Sequence, residues 1–360
     1  MKKYLIIALI PLLFFGCKKR ELTIEKLDIT SESVVKSTNS IKISASYTYV
    51  TALKSVMGYV SRNSDMSNAS SANATVNGNQ FVVNFENLSE NTLYYYCFEC
   101  NNGVDIIKTD VKSVQTDFPG LIKGEFSVSA TQIVSFSQGN LQYRASTDTW
   151  RFADNQFACI GENNSNISST YDGWIDMFGW GTGDNPTNSS TDNVDYPAFT
   201  DWGSKPISNG GNAANLWRTL TKDEWAYVFN ERSTSSGIRF VKAIVDGTWG
   251  VVLLPDDWDS ALYNLNSPNV GTADFPENEI SLTDWNSIFE ANGAVFLPSA
   301  GWREGTAMNL VGFRGLYWSA TNNSGVGAYN LYFLSDDIYV TDSRGRYIGQ
   351  SVRLVCDIEN

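Results

Sequence analysis

The chain has 360 residues, enough for about two domains, with 26 Lys and Arg, 39 Asp and Glu, no His and a net charge of −13. The absence of histidine excludes Ser-His-Asp and Cys-His catalysis and histidine-bound zinc, and the acidic balance argues against a nucleic-acid partner. A hydrophobic content of 42% and an aromatic content of 13% exclude a disordered chain.

The N-terminal segment has the pattern of an export signal. Two lysines precede an apolar run over residues 4–15, which is too short to span a bilayer as a helix. Gly16 and Cys17 follow this run directly. A small residue before a cysteine at this place resembles the bacterial lipoprotein cleavage signal.

This resemblance implies that residues 1–16 are a signal peptide, that Cys17 is acylated, and that residues 17–24 tether the protein to the membrane. Lys18 stands where an aspartate would indicate retention in the inner membrane. The predicted location is therefore the outer membrane, at the cell surface or on its periplasmic face. The alternative is an ordinary signal peptide followed by a chance cysteine.

Residues 25–117 have the pattern of an all-β domain. Apolar and polar residues alternate over 41–49, 81–85 and 94–98, so each strand has one buried face and one wet face. The Ser-, Asn- and Ala-rich stretch 63–79 reads as a loop. The pattern predicts a β-sandwich.

Residues 88–94, Leu-Ser-Glu-Asn-Thr-Leu-Tyr, resemble the segment before strand F of fibronectin type III domains. The resemblance implies a fibronectin type III-like or immunoglobulin-like sandwich, with Tyr94 at the corner of the strand. The expected role of this domain is a spacer, and a binding role is the alternative.

Beyond a Pro-Gly linker, residues 118–360 have a different composition. All 11 tryptophans lie between Trp150 and Trp318, which indicates a loop-rich domain whose loops are held by aromatic side chains. Trp302 and Trp318 are candidate sugar platforms, although Trp318 fits a buried position better. Two helices are predicted, one capped by Thr221 and one over residues 283–290.

Residues 217–225, Trp-Arg-Thr-Leu-Thr-Lys-Asp-Glu-Trp, resemble a segment of the formylglycine-generating, sulfatase-modifying family, which has a C-type-lectin-like fold. Residues 315–321, 328–333 and 349–355 resemble a signature of large paralogous families of Bacteroidetes and Fibrobacter surface proteins. The resemblance implies that residues 118–360 form a loop-rich α+β, C-type-lectin-like domain.

The same C-terminal signature resembles the variable region of retroelement-diversified proteins, in which scaffold and ligand-facing positions alternate. The resemblance assigns scaffold positions to Trp318, Tyr329, Leu331, Phe333, Val352 and Leu354. It assigns the ligand-binding face to Asn330, Tyr332, Leu334, Asp337, Tyr339, Asp342, Tyr347, Ile348 and Gln350.

A face of Tyr, Asn and Asp combines rigid contact area with adaptable hydrogen bonding, as in antibody paratopes. The predicted function is non-catalytic binding of a glycan or protein ligand. One alternative is that these are ordinary solvated residues on a structural module. Another is that the protein is a structural or tip subunit of a surface assembly, which uses the same face or an exposed edge of the first domain.

An enzyme of the formylglycine-generating type is the least favoured alternative. Such an enzyme needs a cysteine pair, and residues 118–360 contain only Cys159 and Cys356, neither in the family's pattern. A disulfide between these two cysteines is one option. The cluster Asp256, Asp257 and Asp259 reads as a turn. No cofactor is predicted, although aspartate-rich loops could hold calcium.

Overall fold

The computed structural model describes residues 27–49 and 52–358. The described residues form two compact units: one comprises residues 27–36, 40–49, 52–87 and 93–114, and the other residues 37–39, 88–92 and 115–358. The expected signal peptide, Cys17 and the tether lie outside the described residues. None of the described helices has the length and apolarity needed to span a bilayer.

Within its described residues, the first unit has nine strands in two sheets. The sheets have the orders β1-β2-β6-β5 and β4-β3-β7-β8, with β9 also paired to β7. These orders correspond to the ABED and CFG sheets of immunoglobulin-like sandwiches. The bounds are β1 (Asp28–Lys36), β2 (Ile41–Thr48), β3 (Ser55–Ser61), β4 (Ser70–Asn73), β5 (Thr75–Asn77), β6 (Gln80–Phe85), β7 (Leu93–Asn101), β8 (Ile106–Lys108) and β9 (Lys112–Gln115).

The alternating apolar residues of β2, β6 and β7 form the core between these sheets. Phe81 and Phe98 meet across it with ring centroids 4.9 Å apart, and Tyr94 is buried. A Cβ on Gly58 would lie 2.7 Å from Val83, so only glycine allows this close approach. The predicted β-sandwich is confirmed.

The loop predicted over residues 63–79 is wrong in part, because β4 and β5 lie within it. Their side chains are mostly exposed, so no apolar alternation marks them in the sequence. They form by backbone pairing to β3 and β6 at the edges of the sandwich.

In the second unit, the residues described up to 358 form sixteen strands and two short α-helices among long loops. The strands are β10 (Phe126–Ser127), β11 (Ile133–Phe136), β12 (Leu141–Arg144), β13 (Thr149–Phe152), β14 (Trp174–Ile175), β15 (Arg218–Thr219), β16 (Phe240–Val245), β17 (Thr248–Leu253), β18 (Glu279–Ile280), β19 (Val295–Pro298), β20 (Trp302–Glu304), β21 (Ala307–Asn309), β22 (Gly315–Asn323), β23 (Gly327–Phe333), β24 (Ile338–Gly345) and β25 (Leu354–Ile358). The helices are α1 (Lys222–Ala226) and α2 (Leu282–Asp284).

These strands form five small sheets around an aromatic core. The sheets are β10-β11-β25-β15, β13-β12-β14, β18-β16-β17-β19, β20-β21 and β22-β23-β24. Buried indoles fix the loops by hydrogen bonds: the Nε1 atoms of Trp318, Trp217 and Trp180 donate to backbone carbonyls at 2.8–3.0 Å. The expected role of tryptophans in holding loops is confirmed for these three.

Both predicted helices are present. Thr221 caps α1 and accepts a hydrogen bond from the Glu224 amide, and the Glu224 carboxylate accepts one from the Thr221 amide. This is the predicted capping box. The second helix begins at the Ser281 cap, slightly earlier than predicted. Each α-helix continues as a π-helical turn, Tyr227–Glu231 after α1 and Trp285–Phe289 after α2.

Candidate functional site

The structure separates the nine predicted face residues into two groups by exposure. Tyr339 is 48% exposed, and Leu334, Asp337, Asp342 and Tyr347 are half-buried. The remaining four are buried, which corrects the expectation that all nine form an open face: Asn330, Tyr332, Ile348 and Gln350.

Burial on both sides of the central strand β23 explains this correction. Leu331 and Phe333 pack into one core cluster on one side of the sheet. On the other side of the sheet, Trp318 is the cross-strand partner of Asn330, and Ala328 lies two residues before Asn330 in β23. Both belong to a second core cluster. Strict alternation therefore does not separate core from surface along β23. Gln350 is buried where its backbone exchanges two hydrogen bonds with Phe178.

On the side of this sheet that Tyr332 faces, a cleft of about 280 Å³ lies above Leu316 and Tyr332. These two residues are paired neighbours on β22 and β23. The cleft is lined by Trp302, Glu304, Arg314, Leu316, Tyr332, Arg344 and Ile348.

Tyr332 forms the floor of the cleft and is surrounded by aromatic and cationic groups. The guanidinium carbons of Arg344 and Arg314 lie 5.0 and 5.8 Å from its ring centroid, within cation–π range. Tyr339, its partner on β24, stacks on it with centroids 5.8 Å apart. The Tyr339 hydroxyl bonds to Asp337, which raises the pKa of this phenol.

Strand β20 supplies one wall of the cleft. Trp302 and Glu304 are two residues apart and point to the same side, while Arg303 between them points inward and is fully buried. The buried guanidinium donates to the carbonyl of Gly305, and to those of Asn188 at 3.3 Å and Met177 at 3.4 Å. Burial lowers the pKa of Arg303 to about 10.

The loop before β22 supplies the second wall. The Arg314 amide donates to the Leu310 carbonyl at 3.3 Å, and the Arg314 carbonyl accepts from Gly301 at 2.7 Å. Gly301 has φ +76°, and a Cβ there would lie 2.4 Å from the Asn309 carbonyl oxygen. The backbone that carries Arg314 is therefore held in place before any ligand arrives.

Charges in the cleft are only partly compensated. Arg344 donates to the Asp342 carboxylate at 2.9 Å. Within the described part of the chain, neither Arg314 nor Glu304 has an ion-pair partner within 4.0 Å. The cleft therefore offers one free guanidinium and one free carboxylate beside its aromatic floor.

Asp337 is one of four carboxylates whose charges act on a different group, the buried ammonium of Lys242. This ammonium donates to the carbonyls of Ser335 at 2.7 Å and Gly271 at 3.1 Å. Burial lowers the pKa of Lys242, although nearby carboxylates including Asp337 oppose the shift. Among residues 27–49 and 52–358, no group of three or more acidic or thiol side chains is arranged to hold a metal ion. The calcium expectation stays a prediction.

Seven of the nine predicted face residues do not line the cleft, and only Tyr332 and Ile348 do. Tyr347 packs against the second aromatic cluster. Leu334 lies in the turn between β23 and β24, where its amide donates to the Asp337 carbonyl. The sequence patterns did not identify Glu304, Arg314 or Arg344 as binding residues, whereas Trp302 was predicted as a candidate sugar platform.

The groups considered for catalysis, two cysteine thiols and an aspartate cluster, lie in environments that favour a structural role. Cys159 and Cys356 are both free thiols, so they do not form the disulfide considered from the sequence. Burial raises the pKa of both thiols. Asp256 forms an ion pair with buried Arg232 at 2.7 Å.

No protein-family model matches the chain, and no curated protein matches it. Among solved structures it is similar to the chicken CNTN1 FN1-FN3 domains, with 21% identity, a TM-score of 0.21, and coverage of 25% of this chain and 31% of that chain. It is also similar to a computationally redesigned β-sandwich protein, with 14% identity, a TM-score of 0.21, and coverage of 25% of this chain and 93% of that chain. The sandwich itself is established by the strand pairing of the first unit.

Proposed function

We propose that this protein is a cell-envelope lipoprotein that binds a glycan or protein ligand, without catalysis, through its C-terminal unit. The observation that carries the proposal is the cleft above Tyr332. It combines a rigid aromatic floor, a free guanidinium and a free carboxylate, which are groups suited to recognition.

The rest of the chain fits this role. Cys17 anchors the protein to the outer membrane through acyl chains, and the sandwich is a spacer of the fibronectin type III kind. The second unit is C-type-lectin-like, an assignment supported by the order of its sequence motifs and by the capped helix α1. A non-catalytic role is supported by the raised pKa of its thiols, since the thiolate is the nucleophilic form.

A matched pair of tyrosines tests whether the cleft is the binding site. Immobilised glycans and envelope proteins are screened with the mature chain, and the affinity for each ligand found is measured for Tyr339→Ala and Tyr347→Ala. Tyr339 stacks on the cleft floor, so its loss is expected to weaken binding about 10-fold, whereas Tyr347→Ala has little effect. Equal losses would place the ligand on a wider face, and the absence of any ligand would contradict the proposal.

The second candidate function is a structural or tip subunit of a surface assembly. One observation favours it: Val104 and Ile106, in the hairpin between β7 and β8, are 89% and 65% exposed. Copurification of a stoichiometric partner from detergent-solubilised envelope, lost on Ile106→Ser, would support this role.

A further inference from the structure

We propose that the cleft above Tyr332 takes a hexuronic acid residue of an acidic glycan, whose carboxylate pairs with Arg314 and whose ring packs on Trp302 above the Tyr332 floor. This inference rests on the proposed function and names its ligand class. It follows from the position of one uncompensated guanidinium inside a small aromatic cleft.

Arg314 is the group that selects a carboxylate. Its planar guanidinium presents donors in a fork that matches the two oxygens of a carboxylate. Within the described residues it has no carboxylate partner, and it already lies against two rings of the cleft, Trp302 at 5.9 Å and Tyr332 at 5.8 Å. An incoming carboxylate would therefore complete its hydrogen bonding without breaking an existing ion pair.

Arg344 has a different role, because Asp342 already accepts from it at 2.9 Å. Its guanidinium carbon lies 5.0 Å from the centroid of the Tyr332 ring, so it packs against the floor of the cleft. The anion site is thus assigned to one of the two arginines, and a test can separate them.

The dimensions and chemistry of the cleft favour a sugar over an acidic peptide. Its volume of about 280 Å³ suits a single ring. Small-molecule pockets have volumes from about 300 Å³ upward, so this cleft is at their lower limit. Half-buried Trp302 offers aromatic surface to the apolar face of a ring, and the buried Tyr332 closes the floor beneath it. The exposed Glu304 can accept hydrogen bonds from the hydroxyls of a sugar ring. An acidic peptide would bring a second carboxylate close to Glu304, and the two like charges would repel each other.

The experiment uses the full mature chain and titrates it with glucuronate and galacturonate. Glucose and galactose serve as neutral counterparts, acetate as a carboxylate without a ring, and an Asp-Glu peptide as the alternative acidic ligand. Binding is followed by ligand-observed NMR at low and high salt. At least one uronate is expected to bind about 10-fold more tightly than its neutral counterpart, with a loss of affinity at high salt.

Three variants decide the assignment. Arg314→Gln is expected to reduce uronate affinity to that of the neutral sugar. Arg151→Gln is the matched control, because Arg151 also stacks on a tryptophan, Trp174 at 4.0 Å, but lies outside the cleft. Glu304→Gln removes a like charge and is expected to preserve or strengthen uronate binding.

The inference is overturned if neither uronate binds, if the neutral sugars bind equally well, if the peptide or acetate binds as tightly, or if Arg314→Gln keeps its uronate affinity. The proposed function is tested separately by Glu304→Trp, which fills the cleft. A neutral glycan or protein ligand that this variant blocks would leave the proposed function standing while the uronate assignment fails.

Discussion

Asp176 is a carboxyl group held in the interior of the second unit. It is fully buried, and its oxygens accept hydrogen bonds from the Asn164 side chain at 2.7 Å and the Ile160 amide at 2.8 Å. Burial raises its pKa from 3.8 to about 6, while these hydrogen bonds oppose the shift. Because the folded pKa is the higher one, the folded state binds a proton between these pH values that the unfolded state releases.

We therefore predict that ionisation of Asp176 lowers the free energy of unfolding as pH rises from about 4 to 6, by on the order of 3 kcal/mol, with no further change above. Asp176→Asn removes this contribution. Tryptophan fluorescence reports on the second unit, since all 11 tryptophans lie there. In urea unfolding, the stability of wild type relative to Asp176→Asn should fall between pH 4 and pH 7.

Asp257→Asn is the control, because Asp257 is exposed. Its stability difference from wild type should stay constant over the same range. If the stability difference between wild type and Asp176→Asn also stayed constant, ionisation of the buried Asp176 carboxyl would not lower the free energy of unfolding.

Individual residues of the cleft could be predicted only in part. Trp302 and the tyrosines were candidates because their side chains suggest binding wherever they are exposed. Arg314 and Arg344 carry no such signal, since arginines are common on surfaces and the two lie thirty positions apart. They meet above Tyr332 only because a loop and an edge strand converge on one end of the sheet.

The capping box of α1 gives a prediction at the scale of an element. Replacing Thr221 with alanine leaves the Glu224 amide without its cap, so we expect a loss of about 1 kcal/mol in the free energy of unfolding. Tryptophan-monitored urea unfolding measures it. Thr306→Ala, at an exposed turn position between β20 and β21, should change stability by less than half that amount. Equal effects of the two substitutions would refute the capping assignment.

Strands and helices were predictable where local chemistry decides them. The sandwich strands β2, β6 and β7 each bury one face, so alternation identified them. The signal failed for β23, where both faces are covered at one end, and the pairing register with β24 shifts between Asn330 and Tyr332. It also failed for the polar edge strands β4 and β5, which tertiary pairing creates.

At the scale of the whole molecule, the proposed anchor decides where the protein resides. Cys17→Ser removes the acylated residue, so we expect the chain to move from the detergent-extractable membrane fraction into the soluble envelope fraction. Cys356→Ser should leave the membrane association unchanged, because Cys356 lies in β25, far along the sequence from the anchor. Membrane association retained by Cys17→Ser would refute the anchor.

The order of sequence motifs along the chain predicted the extent of the second domain. The motifs did not predict which parts of its surface form a cleft. Its core depends on aromatic residues that come together from distant positions, as Phe136 does with Trp225 and Trp249 with Phe275. The position of a cleft depends on which part of a sheet these clusters leave uncovered. That is a property of the assembled fold and not of any one segment.

If the cleft above Tyr332 binds the ligand, a variant whose cleft is filled cannot bind it. The affinity of the ligand found by screening is measured for wild type, Glu304→Trp and Ser343→Trp. Glu304 is exposed and lines the cleft, while Ser343 is an exposed residue of β24 that does not. We expect Glu304→Trp to abolish binding and Ser343→Trp to preserve it. Undiminished affinity in Glu304→Trp would contradict this expectation.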